Sequence, residues 1–429
     1  VSSTAPGEAT APAEVAVRPG CQDDYDPASL SVTQARARIA EAVTPVRAVE
    51  TVPLRAALGR ILAGELHSPM DVPGGVNSAM DGYALHSRDL PGTGSRSLSL
   101  VGSAFAGRPH LQPVPAGACV RIMTGALLPP GTDTVVAQER AEAGADGVRI
   151  GTHTAAGENV RQAGEDVARG ARVLDAGRQL TPADLGLIAS LGLAEVTVVR
   201  RLRVAFFSTG DELCRLGEPL QAGQIYDSNR HVLFGLLQQP WLESSDHGIV
   251  RDERVALEQA LRAAAAGSDL VLTSGGVSVG EADLVRETLA ALGSIRFWKV
   301  AMKPGRPLAF GHLGDACFFG LPGNPVSVMV TFHQFVLPLL YRLAGRGRQE
   351  EPLRFTVPCI SRLRKRPGRM EYQRGILHYD ADGRLVVART GAQGSGILTS
   401  MSRANCYIVL PVESATVEPG SPVEVQQLP

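Results

Sequence analysis

The run Thr273-Ser274-Gly275-Gly276-Val277-Ser278-Val279-Gly280-Glu281-Ala282-Asp283 sets glycines and hydroxyls between an apolar stretch and two carboxylates. Glycines let a backbone approach a phosphate closely, and the first N–H groups of a following helix can donate to an anion. A tight strand-to-helix turn without a ligand would use the same glycines, so this loop alone does not decide. A second run, Ser208-Thr209-Gly210-Asp211-Glu212, repeats the combination after the apolar Val204–Phe207. Further on stand Lys299, Lys303-Pro304-Gly305-Arg306-Pro307 and Leu321-Pro322-Gly323-Asn324-Pro325. Singly, each of these charges suits a solvated surface. As a set, lysines and an arginine beside carboxylates make a mixed-charge pocket, suited to a polyanion held partly through a divalent cation.

Another polar constellation lies upstream. Asp71 through Ala84 (DVPGGVNSAMDGYA) is glycine-bearing and too irregular for a core element, and Arg161 stands shortly before Gly164-Glu165-Asp166. Loops with this much polar detail often carry function; an Asx-type turn bracketing a hairpin would read similarly.

These residues need elements to position them. Residues 1–26 are rich in Ala, Pro, Ser, Thr and Glu without apolar periodicity and are expected to be disordered. Order should begin near Ser31, where Ser31-Val32-Thr33-Gln34 is a capping box. Thr181-Pro182-Ala183-Asp184 opens a second helix that Gly192 closes. Between 75 and 163, short runs such as Cys119–Met123 and Thr134–Val136, broken by Gly and Pro, predict an inserted, mainly β module. It would interrupt an N-terminal linking domain formed by 27–74 and 164–197. From 198 to 350, Val204–Phe207 and Leu270–Leu272 are expected as buried parallel strands. Leu257, Ala260, Leu261 and Ala264 fall on one helical face between them. That alternation predicts a three-layer α/β domain, whose ligands would bind beyond the carboxyl ends of the strands. From 351 to 429, short runs at Phe355–Val357, Leu385–Val387 and Tyr407–Leu410 predict a small β-barrel domain. The fold class expected is therefore multidomain α/β.

Composition excludes some alternatives. Over 429 residues the formal net charge is -1, which gives no pull toward nucleic acid or anionic membrane. The cysteines Cys21, Cys119, Cys214, Cys317, Cys359 and Cys406 form no CxxC pair, and the histidines no HExxH. This fits a reducing compartment rather than a disulfide framework or zinc site. No apolar stretch reads as long enough to span a bilayer, and residues 1–20 lack a signal-peptide pattern. A cytoplasmic protein without nucleic-acid or membrane partners is expected.

Asp71–Ala84, Arg121-Ile122-Met123-Thr124-Gly125, Gly164-Glu165-Asp166, Ser208–Glu212, Thr273–Asp283 and Leu321–Pro325 closely resemble the MoeA family, whose eukaryotic relatives include the E domain of gephyrin. The match runs from about residue 27 to the C-terminus, with the motifs in order. The resemblance implies that adenylylated molybdopterin and molybdate are the substrates, that the adenylate is hydrolysed with a divalent cation, usually Mg2+, and that molybdenum cofactor and AMP leave. It implies a molybdopterin-binding α/β domain and a homodimer whose sites lie between the α/β domain of one subunit and the inserted module of the other. Molybdopterin adenylyltransferase and molybdoenzyme chaperones would be further partners.

Carried onto this sequence, the acidic set is Asp81, Asp166, Glu212, Asp252 and Asp283, with Glu212 and Asp252 as metal ligands. The basic set is Lys299, Lys303 and Arg374, the last within Tyr372-Gln373-Arg374-Gly375, with Arg369 and Ser395 as further oxyanion contacts. Thr124, Arg161, Ser208, Thr209, Gly210, Gly275, Gly276, Ser278, Gly280, Pro322 and Pro325 would line the substrate. Arg306 departs from relatives that carry a second lysine there; it keeps the charge on a forked group. The pterin dithiolene would supply soft sulfur to molybdenum, so no Cys/His cluster is needed. Competing readings are a paralogous nucleotide pyrophosphatase, which would not need the inserted module, and a non-enzymatic scaffold.

Overall fold

Residues 29–275, 283–346 and 352–428 are described in the computed structural model of the chain. The first helix, Val32–Glu41, starts where local chemistry requires. The Ser31 hydroxyl accepts from the Gln34 amide at 3.1 Å, and the Gln34 side chain accepts from the Ser31 amide at 2.9 Å. Two of the helix's otherwise unpaired donors are thereby satisfied. The same device starts the helix Pro182–Ser190, with Thr181 and Asp184 as the reciprocal pair and Gly192 in the left-handed region just beyond its end.

The chain enters the inserted module at Asn77–Ser78 and leaves at Val160–Arg161, and these two short strands pair antiparallel. Between them lies a six-stranded sheet in the order 134–137, 82–85, 118–122, 95–104, 147–151, 141–144. Its faces bury separate clusters, one around Ala84, Val120 and Val135 and one around Tyr83, Cys119 and Ile150. Alternation along Gly82–Leu85 puts Ala84 on one face and Tyr83 on the other.

A second six-stranded sheet runs in the order 242–250, 202–209, 270–274, 316–321, 307–313, 294–299. The first four strands are parallel; 307–313 runs antiparallel to them, and 294–299, antiparallel to 307–313, runs in the sense of the first four. Leu257, Leu261 and Leu289 cover one face, while helices 228–236 and 325–343 with Val32–Glu41 cover the other. Burial on both faces is why Val204–Phe207 and Leu270–Leu272 are apolar throughout.

The segment Pro325–Leu343 corrects the expectation about apolar stretches. It forms 19 residues of helix, long and apolar enough by those measures to cross a membrane, and 72% of it is buried inside the protein. His333 and Gln334 interrupt its apolar run in sequence, yet both are buried. It is the core helix on which the sheet and the C-terminal domain pack.

That domain is the expected small barrel. Strands 354–358, 422–427, 406–410, 370–379 and 385–389 follow one another, and a Cys359–Val387 bridge closes the circuit. Val357, Leu363, Val387, Ile408 and Val425 fill it. A short parallel pairing of Met302–Lys303 with Met370–Glu371 joins the barrel to the α/β domain.

Candidate active site

Because strands 202–209, 242–250, 270–274 and 316–321 are parallel, Ser208–Glu212, Asp252, Gly275 and Leu321–Asn324 all stand at one edge of the sheet. The antiparallel return brings the basic residues there too. Lys299 ends its strand opposite Pro307, the start of the next, so Lys299 and the Lys303–Arg306 connection share the edge of Leu321. The strand senses thus assemble both signs of charge at the carboxyl edge, the usual ligand crevice of such sheets.

The first acidic group is held by one short and one long contact. The Thr209 hydroxyl donates to Asp252 Oδ1 at 2.6 Å, and the Asp252 amide donates to Asp211 Oδ1 at 3.4 Å. A Cβ on Gly210, whose φ is +148°, would lie 2.5 Å from Glu212 Oε2, so the glycine admits the Glu212 carboxylate over the strand end. Gly275, at φ +95°, would collide with the Thr209 carbonyl at 2.3 Å if it carried a Cβ. The two loops can approach this closely only because Gly275 lacks a side chain.

Among the described residues no three His, Cys, Asp or Glu side chains form a ready metal cage. Mg2+ commonly takes one or two carboxylates and completes its shell with water and substrate phosphate. Asp252, with one oxygen engaged by Thr209, and the exposed Glu212 are hard oxygen donors of that kind, and they fit such an ion.

Deeper in, the helix Ser228–Leu236 braces the loops. Its cap, Asp227, accepts from the buried Ser208 hydroxyl at 3.0 Å and from the Arg230 amide at 3.2 Å. Asn229 Nδ2 donates to Ser274 Oγ at 2.8 Å and to the Gly323 carbonyl at 2.7 Å. Neither Asp227 nor Asn229 was among the residues expected. The signal was the polar Asp227-Ser228-Asn229 just before an apolar helical run, where Asp is a preferred cap.

On the basic side, Lys303 Nζ lies 3.8 Å from Glu371 Oε1, whose side chain is buried and also accepts from Gln373 at 3.0 Å. Lys365 is buried and donates to the carbonyls of Arg366, Val412 and Ser414, at 3.2, 3.2 and 2.9 Å. Burial holds its ammonium below the usual lysine range, against the pull of Glu371. It pins the basic loop around Arg369, itself half-buried, to the barrel.

Arg374 requires a correction. Its side chain is 1% exposed, so it presents no guanidinium to a bound oxyanion. Nε donates to Ser400 Oγ and a terminal nitrogen to the Gly394 carbonyl, each at 3.0 Å. Burial pushes its pKa down to about 10, so it stays charged at neutral pH. Its role is to hold the loop carrying Ser395, whose carbonyl accepts from the Val326 amide at 3.1 Å, beside Leu321–Pro325.

The upstream constellation gathers at the neck of the inserted module. Asp81 Oδ1 accepts from the Thr124 amide and hydroxyl, both at 2.7 Å. These bonds, the backbone one foremost, hold the Asp81 carboxyl below the usual range. Arg161 pairs with Asn77 across the neck, and the Asp166 amide donates to the Val72 carbonyl. Arg161 and Asp166 are exposed. The module's cores share no residue with those of the α/β sheet, so the expected site residues stand on two separately packed bodies of chain. Gly276, Ser278 and Gly280 lie outside the described residues, as does the side chain of Asp283, which opens the helix Asp283–Leu292. Cavities of about 470 and 800 Å³ lie elsewhere, beside Arg36 and His333 and beside Arg38 and Trp298. Neither is lined by any expected site residue, and the candidate site is instead an open edge.

Comparison with known proteins covers nearly the whole chain. Residues 30–192 match the MoeA N-terminal region (domains I and II), 205–342 a probable molybdopterin binding domain, and 356–428 the MoeA C-terminal region (domain IV). A molybdopterin molybdenumtransferase of Haemophilus influenzae is 44% identical over 92% of this chain and 98% of its own. Gephyrin of Dictyostelium discoideum is 33% identical over 88% of this chain and 59% of its own. The solved molybdopterin biosynthesis protein MoeA from Pyrococcus horikoshii superposes with a TM-score of 0.81 at 27% identity. It covers 93% of this chain and all of its own.

Proposed function

The chain belongs to the MoeA family, and from that premise we propose that it hydrolyses adenylylated molybdopterin while inserting molybdate, releasing molybdenum cofactor and AMP. It is a molybdenum-inserting transferase of cofactor biosynthesis; the adenylate step is the finer part of the reading. The observation that carries it is the convergence of Glu212, Asp252, Lys299, Lys303 and Arg306 at the carboxyl edge of one sheet.

Hydrolysis of a phosphoanhydride needs its negative charge neutralised and a water held in line. Glu212 and Asp252 would hold Mg2+, which supplies charge neutralisation at phosphate when bound. Lys299, Lys303 and Arg306 would face phosphate and molybdate oxygens. Gly210 and Gly275 leave room for the polyanion, and Ser395 would complete the oxyanion side. Asp81, Thr124 and Arg161 would come from the inserted module of a second subunit, with Asp166 from the linking segment at its neck, making the homodimer the active unit. The five described cysteines are free, which supports a reducing, cytoplasmic setting. Handover from molybdopterin adenylyltransferase and to molybdoenzyme chaperones would follow there.

The test is to mix the purified protein with adenylylated molybdopterin and Mg2+, and to measure AMP and molybdenum cofactor separately across a molybdate series. Coupled appearance of both supports the reading. AMP release with no cofactor at any molybdate concentration would leave a nucleotide pyrophosphatase, and neither product a scaffold.

A further inference from the structure

We propose that Asn229 is a positioning residue for this reaction: one side-chain amide sets the spacing of two ligand loops at the sheet edge. The inference rests on the adenylate reading for its kinetic test, though not for its geometry. Ser274 ends the strand 270–274, and Gly323 lies just beyond the strand 316–321. Those strands are parallel neighbours in register at Ser274 and Leu321, and the Gly275 amide donates to the Leu321 carbonyl at 3.2 Å. Beyond that point the backbones separate into their loops. Asn229 Nδ2 spans them, with bonds of 2.8 Å to Ser274 and 2.7 Å to Gly323. Two residues earlier, Asp227 receives the Ser208 hydroxyl at the end of the strand 202–209. A single helical turn therefore ties the ends of three adjacent strands, each leading into a segment of the proposed site.

The orientation of the amide follows from chemistry. The Gly323 carbonyl can only accept, so the atom facing it is the nitrogen. Asn229 Oδ1 must then point away, and among the described residues this buried atom has no hydrogen-bond partner. An orphaned buried acceptor is a cost to folding. An apolar side chain of similar size would avoid that cost and could still fill the space. What it could not do is donate two bonds to two loops. Asp in place of Asn would set a second acceptor against the Gly323 carbonyl and keep neither donor.

The experiment compares wild type with N229A, N229D, S274A and the N229A/S274A double variant. Folded fraction is checked by circular dichroism before each assay. Misplacing a positioned group costs up to about 10²-fold in rate, so we expect N229A to lower kcat/KM for AMP release about 10- to 10²-fold. The loss should lie chiefly in kcat, at equal folded fraction. N229D should do no better, and the double variant should fall little below N229A, since both changes break one link. Independently of any substrate, amide hydrogen exchange in 321–324 should quicken in N229A while the strands 202–209 and 270–274 keep their protection. If N229A does not fold, N229S gives the same comparison with a smaller change. Wild-type kinetics and unchanged exchange at 321–324 in a folded variant would overturn the proposal. Absence of AMP release in wild type would instead sink the adenylate reading, leaving the exchange result to judge the positioning role.

Discussion

His333 offers a perturbation whose size follows from its surroundings. It lies in the one-turn π-helical stretch Phe332–Val336, is 6% exposed, and its Nδ1 is 2.9 Å from the hydroxyl of the fully buried Tyr407. Burial pushes its pKa from 6.5 down to about 4. In the unfolded chain the imidazole takes up a proton as pH falls through 6.5, whereas the folded protein stays neutral until about pH 4. Between those values the unfolded state binds more protons, so stability is lost as pH falls; above 6.5 it is fully present. At about 1.36 kcal/mol per pKa unit, the interval corresponds to roughly 3 kcal/mol. His333→Gln keeps a hydrogen-bonding group without the titration. Urea midpoints of both proteins, taken at half-unit steps from pH 7.5 to 4.5, should converge as pH falls, because wild type loses stability that the variant does not. Carboxylates that titrate in the same range cancel in the difference. A stability difference independent of pH would refute the argument and mean that His333 takes up its proton in the fold as it does in the unfolded chain.

Three further expectations concern the site. Glu212→Gln should lower AMP release by about 10²–10³, the usual size of one lost electrostatic contact in a transition state, and leave the melting temperature alone because the side chain is exposed; native-rate release would remove Glu212 from the proposed machinery. Arg374→Lys should lower the melting temperature, since a lysine cannot reach both Ser400 and Gly394 and each charge-assisted bond lost costs about 1.5–3 kcal/mol. Ser400→Ala should reproduce part of that shift, and an Arg374→Lys protein of native stability with impaired molybdate use would restore a direct contact. Asp81→Ala and Glu212→Ala subunits, each inactive alone, should regain roughly a quarter of native activity when mixed, by statistical pairing of a two-fold dimer with one intact site; no recovery in confirmed heterodimers would place both residues in one subunit's site.

What the sequence made legible was local or periodic. The two capping boxes depend on residues three apart, and buried strands declare themselves by unbroken apolar runs, so Ser31, Thr181, Val204–Phe207 and Leu270–Leu272 read correctly. The motif loops were legible because glycine and carboxylate spacing is local too. Strand sense was not. Only the antiparallel pairing of 294–299 and 307–313 puts Lys299 and Lys303 on the edge of Leu321, and a register of that kind leaves no mark in composition. Burial of charge was equally hidden. Arg374 and Lys365 look like surface cations, yet their partners are backbone carbonyls and a serine far along the chain. Asn229 escaped for the same reason: its contacts lie 45 and 94 residues away.

The protonation state of Asp81 constrains what the inserted module could bring to the proposed shared site. A general acid must be protonated at the working pH, which for a carboxyl requires a raised pKa, by apolar burial or a like charge. Asp81 has the opposite surroundings: two bonds from Thr124 stabilise the charged form, and Arg121 adds a smaller pull the same way. It therefore arrives at neutral pH as a carboxylate. That charge suits accepting a proton, orienting a water or meeting a cation rather than donating to a leaving group. Thr124, exposed and outside the acidic set, thereby becomes the residue that fixes both the charge and the direction of Asp81. Thr124→Val removes the hydroxyl bond but keeps the amide bond, and should raise the Asp81 pKa only in part. The acid limb of the pH–rate profile should move upward by less than it would if both bonds were lost. An unmoved acid limb would show that the profile reports some other carboxylate.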